Sequence, residues 1–324
     1  MGRILSASAR IACVGALAAY ALWISSEDLL YRWENHLSRV WFGMLRDAGP
    51  IDLVATGSSR TAQGFDGFRF AAAYRARHGR EPVVFDVSRF ARGPEVDYLV
   101  LRRLLDRREV RHLLVEYQHG GLGSDPVHPS LELAAGFGEI AGVCWAEHWR
   151  PAWARAQRIL DLWLKRASGL AVLAVLGDLP EIRVDPDDPG PARTRDPTRA
   201  RDRARPARIL GVADRAAWRE APPRRWDFDD PDAARDVYWA RRIVALARER
   251  GIDVTFYHPN ALYDPPLADG VAEAFAARIG APLVEFPREL LPALYPEGYG
   301  DDKHLNAHGV SLWMDALAAR LELP

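Results

Sequence analysis

The sequence predicts an α/β fold, specifically a three-layer α/β/α sandwich around a mainly parallel sheet. From residue 51 onward, short apolar runs alternate with stretches in which apolar residues recur at helical spacing. Each predicted strand is followed by a helix long enough for a right-handed crossover to the next strand. Strands connected in this way lie parallel, and helices cover both faces of their sheet.

The predicted elements follow a regular order along the chain. Strands are expected at residues 51–55, 82–87, 113–117, 254–257 and 283–286. Helices are expected at residues 61–77, 95–105, 232–250, 267–279 and 307–321. These elements define an α/β domain at residues 50–324, which an insertion at residues 124–230 interrupts.

The N-terminal residues 1–26 are predicted to be a signal anchor. Arg3 and Arg10 precede an uncharged run at residues 11–24, and acidic residues follow it. This charge order predicts a single-pass membrane protein whose domain lies outside the cytoplasm, in a periplasmic or extracellular location. A cleaved signal peptide and a buried N-terminal helix are the alternatives. Residues 27–49 are predicted to form an amphipathic helix that connects this segment to the domain.

The insertion has two parts of different composition. Residues 131–179 have a helical pattern, with Trp145, Trp149 and Trp153 at four-residue spacing. Such a stripe usually forms a packing face, and a membrane-surface or partner-binding face is the alternative. Residues 185–208 are rich in Pro, Asp and Arg, which predicts a solvated loop, and binding to anionic glycan or lipid headgroups is the alternative.

Composition excludes several classes of function. The 43 Lys and Arg residues nearly balance the 44 Asp and Glu residues, so we expect no nucleic-acid partner. The only cysteines, Cys13 and Cys144, are too few for a disulfide framework or a zinc ribbon. The chain has no glycine-rich phosphate-binding sequence, and we expect neither a cofactor nor a metal ion.

Two short segments carry residues suited to nucleophilic catalysis. A Gly-Ser-Ser-Arg sequence at residues 57–60 directly follows the first predicted strand, and Asp301 precedes His304 by three positions before the last predicted helix. A serine hydroxyl is a weak nucleophile that needs a base within hydrogen-bond reach and a third group to orient that base. The segments together supply these three groups. Helix capping by the serines and by the acidic residues is the alternative explanation.

These two segments resemble the signatures of the SGNH (GDSL) hydrolase family. The similarity covers about residues 50–124 and 232–324 and leaves the insertion outside. In that family a Gly-Asp-Ser sequence follows the first strand, and its serine is the nucleophile. The resemblance implies a flavodoxin-like sandwich in which Ser59 is the nucleophile and Ser58 stands in place of the aspartate. It also implies that the Asp-x-x-His pair supplies the base and its orienting acid.

Candidates for the oxyanion hole and for substrate contacts follow the other strands. Gly93 lies in the loop after the second predicted strand. The resemblance implies that it takes the position of the family's oxyanion-hole glycine. The family's Gly-x-Asn-Asp sequence is absent, and Gln118 or His119 would take the role of its Asn. His258 follows the fourth strand and is expected at the same edge of the sheet. A metal site formed by histidines is the alternative, although no His-x-x-x-His sequence supports it.

The sequence therefore predicts a membrane-anchored serine esterase or O-acyltransferase. Ser59 would form an acyl-enzyme intermediate, and the substrate would be an envelope or exported carbohydrate, as the resemblance implies. The expected partners are an acylated carbohydrate or acyl donor, the membrane through the N-terminal helix, and a membrane acyl-donor protein. The alternative is a catalytically inactive carbohydrate-binding or assembly module that partners a membrane acyltransferase.

Overall fold

A computed structural model describes most of the predicted α/β domain and part of the insertion. The described residues are 49–88, 93–119, 136–148, 150–176, 222–230, 233–259, 264–295, 297–300 and 304–324. The predicted anchor at residues 1–26, the connecting helix up to residue 48 and the arginine-rich part of the insertion lie outside the described residues. So does Asp301.

The described residues belong to two compact units. The smaller unit contains residues 136–148 and 150–176, and the larger unit contains the rest. The helices are α1 (Ser59–Gly64), α2 (Gly67–His78), α3 (Pro94–Leu105), α4 (Phe137–Ala146), α5 (Ala152–Leu176), α6 (Ala234–Arg248), α7 (Val271–Ile279), α8 (Leu291–Leu294) and α9 (Ala307–Arg320), with a short 3₁₀ helix at Arg288–Leu290.

The larger unit is built on a five-stranded, all-parallel sheet. Its strands are β1 (Leu53–Thr56), β2 (Val84–Asp86), β3 (His112–Glu116), β4 (Asp253–Tyr257) and β5 (Leu283–Val284), in the order β2-β1-β3-β4-β5. The α/β class, the parallel sheet and the positions of the five predicted strands are confirmed.

The strand order creates a reversal point between β1 and β3. Val54 of β1 pairs with Phe85 of β2 on one side and with Leu113 of β3 on the other. The first crossover therefore runs in one direction along the sheet and the next runs in the other. In open parallel sheets, ligands bind beyond the carboxyl ends of the strands at such a point.

Helices cover both faces of the sheet. On one face, Tyr257 of β4 packs against Trp313 of α9, with ring centroids 6.0 Å apart. The preceding residue along the same strand, Phe256, packs on the opposite face against Phe275 of α7, with centroids 5.3 Å apart. Adjacent strand residues point to opposite faces, so this arrangement is consistent with the predicted three-layer sandwich.

The predicted helix at residues 61–77 is wrong as a single element. The chain leaves helical geometry at Phe65, and the carboxylate of Asp66 then accepts hydrogen bonds from the backbone N–H groups of Phe68 and Arg69. Asp66 is thus the N-cap of a new helix, α2, and the short helix α1 is separated from it. This break leaves α1 as an independent six-residue element directly after β1.

The smaller unit consists of α4 and α5, and the helical prediction for this part of the insertion is confirmed. The indole N–H of Trp163 donates to the carbonyl oxygen of Phe137 at 2.9 Å. Trp145 and Trp153 are 56% and 70% exposed, so the packing-face interpretation is wrong for these two side chains. Trp149 lies outside the described residues. Within the described ranges, no helix has the length and apolar character needed to cross a membrane.

Candidate active site

Ser59 and His304 meet at the carboxyl edge of the sheet. Ser59 is the first residue of α1, directly beyond β1, and His304 precedes α9. The Nε2 atom of His304 lies 2.9 Å from the Oγ atom of Ser59. This is the distance expected between a serine nucleophile and its general base. The fold thus joins two residues that the sequence separates by 245 positions.

The turn that displays Ser59 depends on a close approach at Gly57. A Cβ atom at this position would overlap the Thr61 hydroxyl and the Glu116 carboxylate, and it would lie 2.5 Å from the Glu116 Cβ atom. Ser58 is the N-cap of α1, because its hydroxyl accepts a hydrogen bond from the backbone N–H of Arg60 at 3.2 Å. The capping alternative therefore holds for Ser58, and the hydroxyl of Ser59 contacts the imidazole.

Glu116, the last residue of β3, is the polar centre of this turn. Its side chain is buried, and it accepts hydrogen bonds from the Ser58 backbone N–H at 2.7 Å and from the Ser58 hydroxyl at 2.6 Å. It also accepts from the backbone N–H of Thr61 at 3.3 Å, from the Thr61 hydroxyl and from the side-chain amide of Gln118. Sequence reasoning did not assign Glu116 a role. The feature of the sequence that could have indicated a role for Glu116 is a carboxylate directly after the apolar residues of a predicted strand.

The loop that carries His304 is fixed at both of its ends. Tyr299 and Leu305 form an antiparallel bridge, and the backbone N–H of Gly300 donates to the carbonyl oxygen of His304 at 2.8 Å. Asn306 is the N-cap of α9, and its side-chain oxygen accepts hydrogen bonds from the backbone N–H groups of His308 and Gly309. These contacts hold the backbone of His304 while its ring faces Ser59.

His258 lies near Asp264, which pairs with Arg60, the residue after Ser59. Its Nδ1 atom is 3.1 Å from the carbonyl oxygen of Tyr117. A carbonyl only accepts, so Nδ1 carries the hydrogen and Nε2 has a lone pair in the neutral ring. Burial lowers the pKa of His258, which favours this neutral form. Its Nε2 atom lies 3.9 Å from the Asp264 carboxylate, which accepts a hydrogen bond from Arg60 at 3.1 Å.

The other predicted oxyanion candidates have different environments. The side-chain amide of Gln118 donates to the Ser58 hydroxyl at 3.0 Å and to Glu116, so it braces the turn. The ring of His119 stacks on Trp226 with centroids 5.2 Å apart, and burial lowers its pKa. Gly93 is the N-cap of α3. In the described ranges, no hydrogen bond joins any of these three candidates to Ser59.

An apolar pocket adjoins the Ser59–His304 pair. It is lined by Arg60 and Leu305, which are the chain neighbours of the two residues, and its walls include Phe286, Leu294 and Trp313. Where the chain is described, no three His, Cys, Asp or Glu side chains are grouped in a way that could hold a metal ion. The described residues of the site supply a hydroxyl, an imidazole and nearby hydrogen-bond donors.

Comparisons with protein-family models and with curated proteins find no match for this chain.

Proposed function

We propose that the chain is a serine esterase or O-acyltransferase of SGNH type that acts through an acyl-serine intermediate. The observation that carries the proposal is the 2.9 Å contact between the Ser59 hydroxyl and the His304 imidazole. The setting of this contact supports it, because Ser59 follows β1 at the point where the strand order reverses. Helix capping does not explain the position of the Ser59 hydroxyl, because the side chain that caps α1 is that of Ser58.

In the proposed mechanism, His304 acts first as a base and then as an acid. Its Nε2 atom accepts the Ser59 proton while Oγ attacks the ester carbonyl carbon, giving a tetrahedral intermediate. The imidazolium returns the proton to the leaving alcohol oxygen as the ester C–O bond breaks. Water or a sugar hydroxyl, deprotonated by His304, then attacks the acyl carbonyl carbon, and the bond to Oγ breaks as the imidazolium returns the proton to Ser59. Asp301 is the proposed group that orients the imidazole.

The oxyanion formed in each step requires hydrogen-bond donors. Backbone N–H groups of the first helical turn have no acceptor within their helix, and Ser59 is the first residue of α1. Its N–H is the proposed first donor. The apolar pocket between Arg60 and Leu305 is small, and it would take only a short acyl group such as acetyl against its aromatic and aliphatic walls.

The carbohydrate substrate and the cellular location are further parts of the proposal. The resemblance to membrane-anchored SGNH proteins supports an envelope or exported carbohydrate as the acylated or deacylated partner. The charge order of residues 1–26 supports a single-pass anchor and an extracytoplasmic domain. A membrane acyl-donor protein is the proposed partner if the reaction is a transfer to a sugar hydroxyl.

Turnover of a small acetyl ester by the purified full-length protein tests the proposal. Ser59→Ala and His304→Ala should each reduce turnover by at least about 10³-fold, as removal of a nucleophile or its base does in serine hydrolases. His308→Ala is the matched control, because this exposed histidine in the first turn of α9 should leave turnover unchanged. Turnover that survives either of the first two changes would refute the mechanism.

A second function is favoured by one observation. The amide of Gln118 is engaged with Ser58 and Glu116, so the side chain that replaces the Asn of the SGNH family already has partners. A catalytically inactive carbohydrate-binding or assembly module fits this arrangement. Such a module would bind an acetylated oligosaccharide with the same affinity in the wild type and in Ser59→Ala, and neither protein would show turnover.

A further inference from the structure

The carboxylate of Glu116 accepts hydrogen bonds from both sides of the turn around Ser59. Two of its donors, the backbone N–H and the hydroxyl of Ser58, belong to the residue before Ser59. Two more, the backbone N–H and the hydroxyl of Thr61, belong to the residue two positions after it. A further donor is the amide of Gln118.

Both hydroxyl groups in this network donate their hydrogens to Glu116. The Ser58 hydroxyl accepts hydrogen bonds from the Gln118 amide at 3.0 Å and from the Arg60 backbone at 3.2 Å, so its own hydrogen goes to the carboxylate. The Thr61 hydroxyl contacts the hydroxyl of Tyr257 and likewise gives its hydrogen to Glu116. An ionised carboxylate accepts hydrogen bonds and donates none, and it therefore satisfies all of these donors together.

The side chain of Ser59 is directed away from Glu116, toward His304. Its neighbours Ser58 and Thr61 give their polar groups to Glu116, while its own hydroxyl contacts His304 at 2.9 Å. Glu116 belongs to β3, which pairs with β1 on one side and with β4 along its whole length on the other. The carboxylate thus fastens both sides of Ser59 to the central strand of the sheet.

We propose that Glu116 is a positioning residue that sets the attack geometry of Ser59. It holds Ser58 and Thr61, and through them it fixes the start of α1 relative to the imidazole of His304. The inference rests on the proposed function, because it assumes that Ser59 is the nucleophile. A displacement of about 1 Å at a nucleophile costs on the order of 10²-fold in rate, so the effect of losing this anchor should be measurable.

The test compares three variants by the rate at which a fluorophosphonate probe labels Ser59 in the full-length protein. Glu116→Gln keeps the shape of the side chain but turns an amide N–H₂ toward groups that donate hydrogens. It should slow labelling by about 10- to 100-fold. The double variant Glu116→Gln/Gln118→Glu returns a carboxylate to the same network, and the amide introduced at position 116 can donate to it. This variant should recover at least about half of the lost rate on a logarithmic scale.

Glu147→Gln is the matched control, since Glu147 is a buried glutamate of the smaller unit that pairs with Arg150 and Arg158. It should leave the labelling rate unchanged. Thermal unfolding of each variant identifies any that do not fold. If Glu116→Gln does not fold, Gln118→Ala removes the hydrogen bonds that the amide donates to Ser58 and to Glu116 but keeps the carboxylate, and it should slow labelling by about 3- to 10-fold.

The outcomes separate this inference from the proposed function. A wild type that labels at Ser59, with a folded Glu116→Gln variant that labels equally fast, would refute the positioning role and leave the proposed function standing. Slow labelling in both Glu116→Gln and the double variant would also refute it, because a carboxylate in the network would then make no difference. A wild type that does not label at all would refute the proposed function itself.

Discussion

At the scale of single residues, Gly57 is the position where the backbone of the site has least room. Substitution by alanine would bring a Cβ atom against Thr61 and Glu116. Overpacking of this kind costs about 1–3 kcal/mol, and we expect Gly57→Ala to lower the free energy of unfolding by that amount. Urea unfolding followed by circular dichroism measures the change.

Gly64→Ala is the control for this substitution. Gly64 is the last residue of α1, the short helix that follows Gly57, and its added Cβ would be 3.8 Å from the nearest atom, a methyl carbon of Leu305. Alanine also favours helical geometry over glycine by up to about 1 kcal/mol, so this variant should be as stable as the wild type or slightly more so. Equal losses in the two variants would contradict the close approach at Gly57.

The sequence allowed Ser59 and His304 to be predicted because a strand that ends in Gly-Ser-Ser and an Asp-x-x-His sequence are local patterns. Glu116 could not be predicted in the same way. Its partners Ser58 and Thr61 are 58 and 55 positions away along the chain. They become neighbours only because β1 pairs with β3 in one register. Which of the two serines caps the helix likewise depends on where α1 begins.

At the scale of elements, the loop before α9 determines where the base lies. An added Cβ at Gly309 would come within 2.9 Å of the Gly298 carbonyl carbon and would overlap its oxygen. Gly309→Ala should therefore separate α9 from this loop and move His304 away from Ser59. We expect ester turnover to fall by about 10- to 100-fold.

Gly300→Ala provides the comparison in the same loop. Its added Cβ would lie 3.7 Å from the His304 carbonyl oxygen and 3.8 Å from the Asn306 Cβ atom, which are ordinary contacts. Turnover should be unchanged in this variant. If Gly309→Ala retained full turnover, the contact between α9 and the loop would not determine the position of His304.

The elements themselves were predictable to different degrees. The five strands were found because each is a compact apolar run, and burial on both faces of a parallel sheet requires such runs. The single helix expected at residues 61–77 was wrong because the apolar spacing continues through Asp66, whose carboxylate caps the second of two helices. A capping interaction of this kind depends on local geometry that hydrophobic periodicity does not report.

At the scale of the whole molecule, the parallel sheet explains why residues from distant parts of the chain share one edge. The carboxyl ends of all five strands point the same way. Ser59, Gln118 and His258 follow β1, β3 and β4, which are adjacent in the sheet. The shared edge was predictable from strand alternation. The contacts at that edge were not, because they depend on side-chain directions in each loop.

The stability of the whole fold should depend on pH through His112. Burial on β3 lowers its pKa from 6.5 to about 4, although Asp253 opposes part of the shift. Between these pH values the unfolded chain binds a proton that the folded chain does not, so stability falls as pH decreases from 6.5 to 4. The loss from this group reaches about 3 kcal/mol at the acidic end and is absent above about pH 7.

Denaturant unfolding at about pH 7 and at about pH 4.5 measures how the free energy of unfolding depends on the protonation of His112. The two pH values include most of the range over which the unfolded and folded chains differ in this proton. In His112→Gln the difference between the two pH values should shrink, because the titrating group is gone. His148→Gln, which changes an exposed histidine, should keep the wild-type difference. An unchanged difference in His112→Gln would show that the acid sensitivity arises from other groups, with the buried His119 and His258 as the next to be tested.

The most direct test of the central claim is to treat the full-length protein with a fluorophosphonate and locate the adduct by mass spectrometry. We predict covalent labelling at Ser59, loss of labelling in Ser59→Ala, strong slowing in His304→Ala and continued labelling at Ser59 in Ser58→Ala. An unlabelled wild-type protein, or an adduct on Ser58, would contradict the assignment of Ser59 as a nucleophile activated by His304.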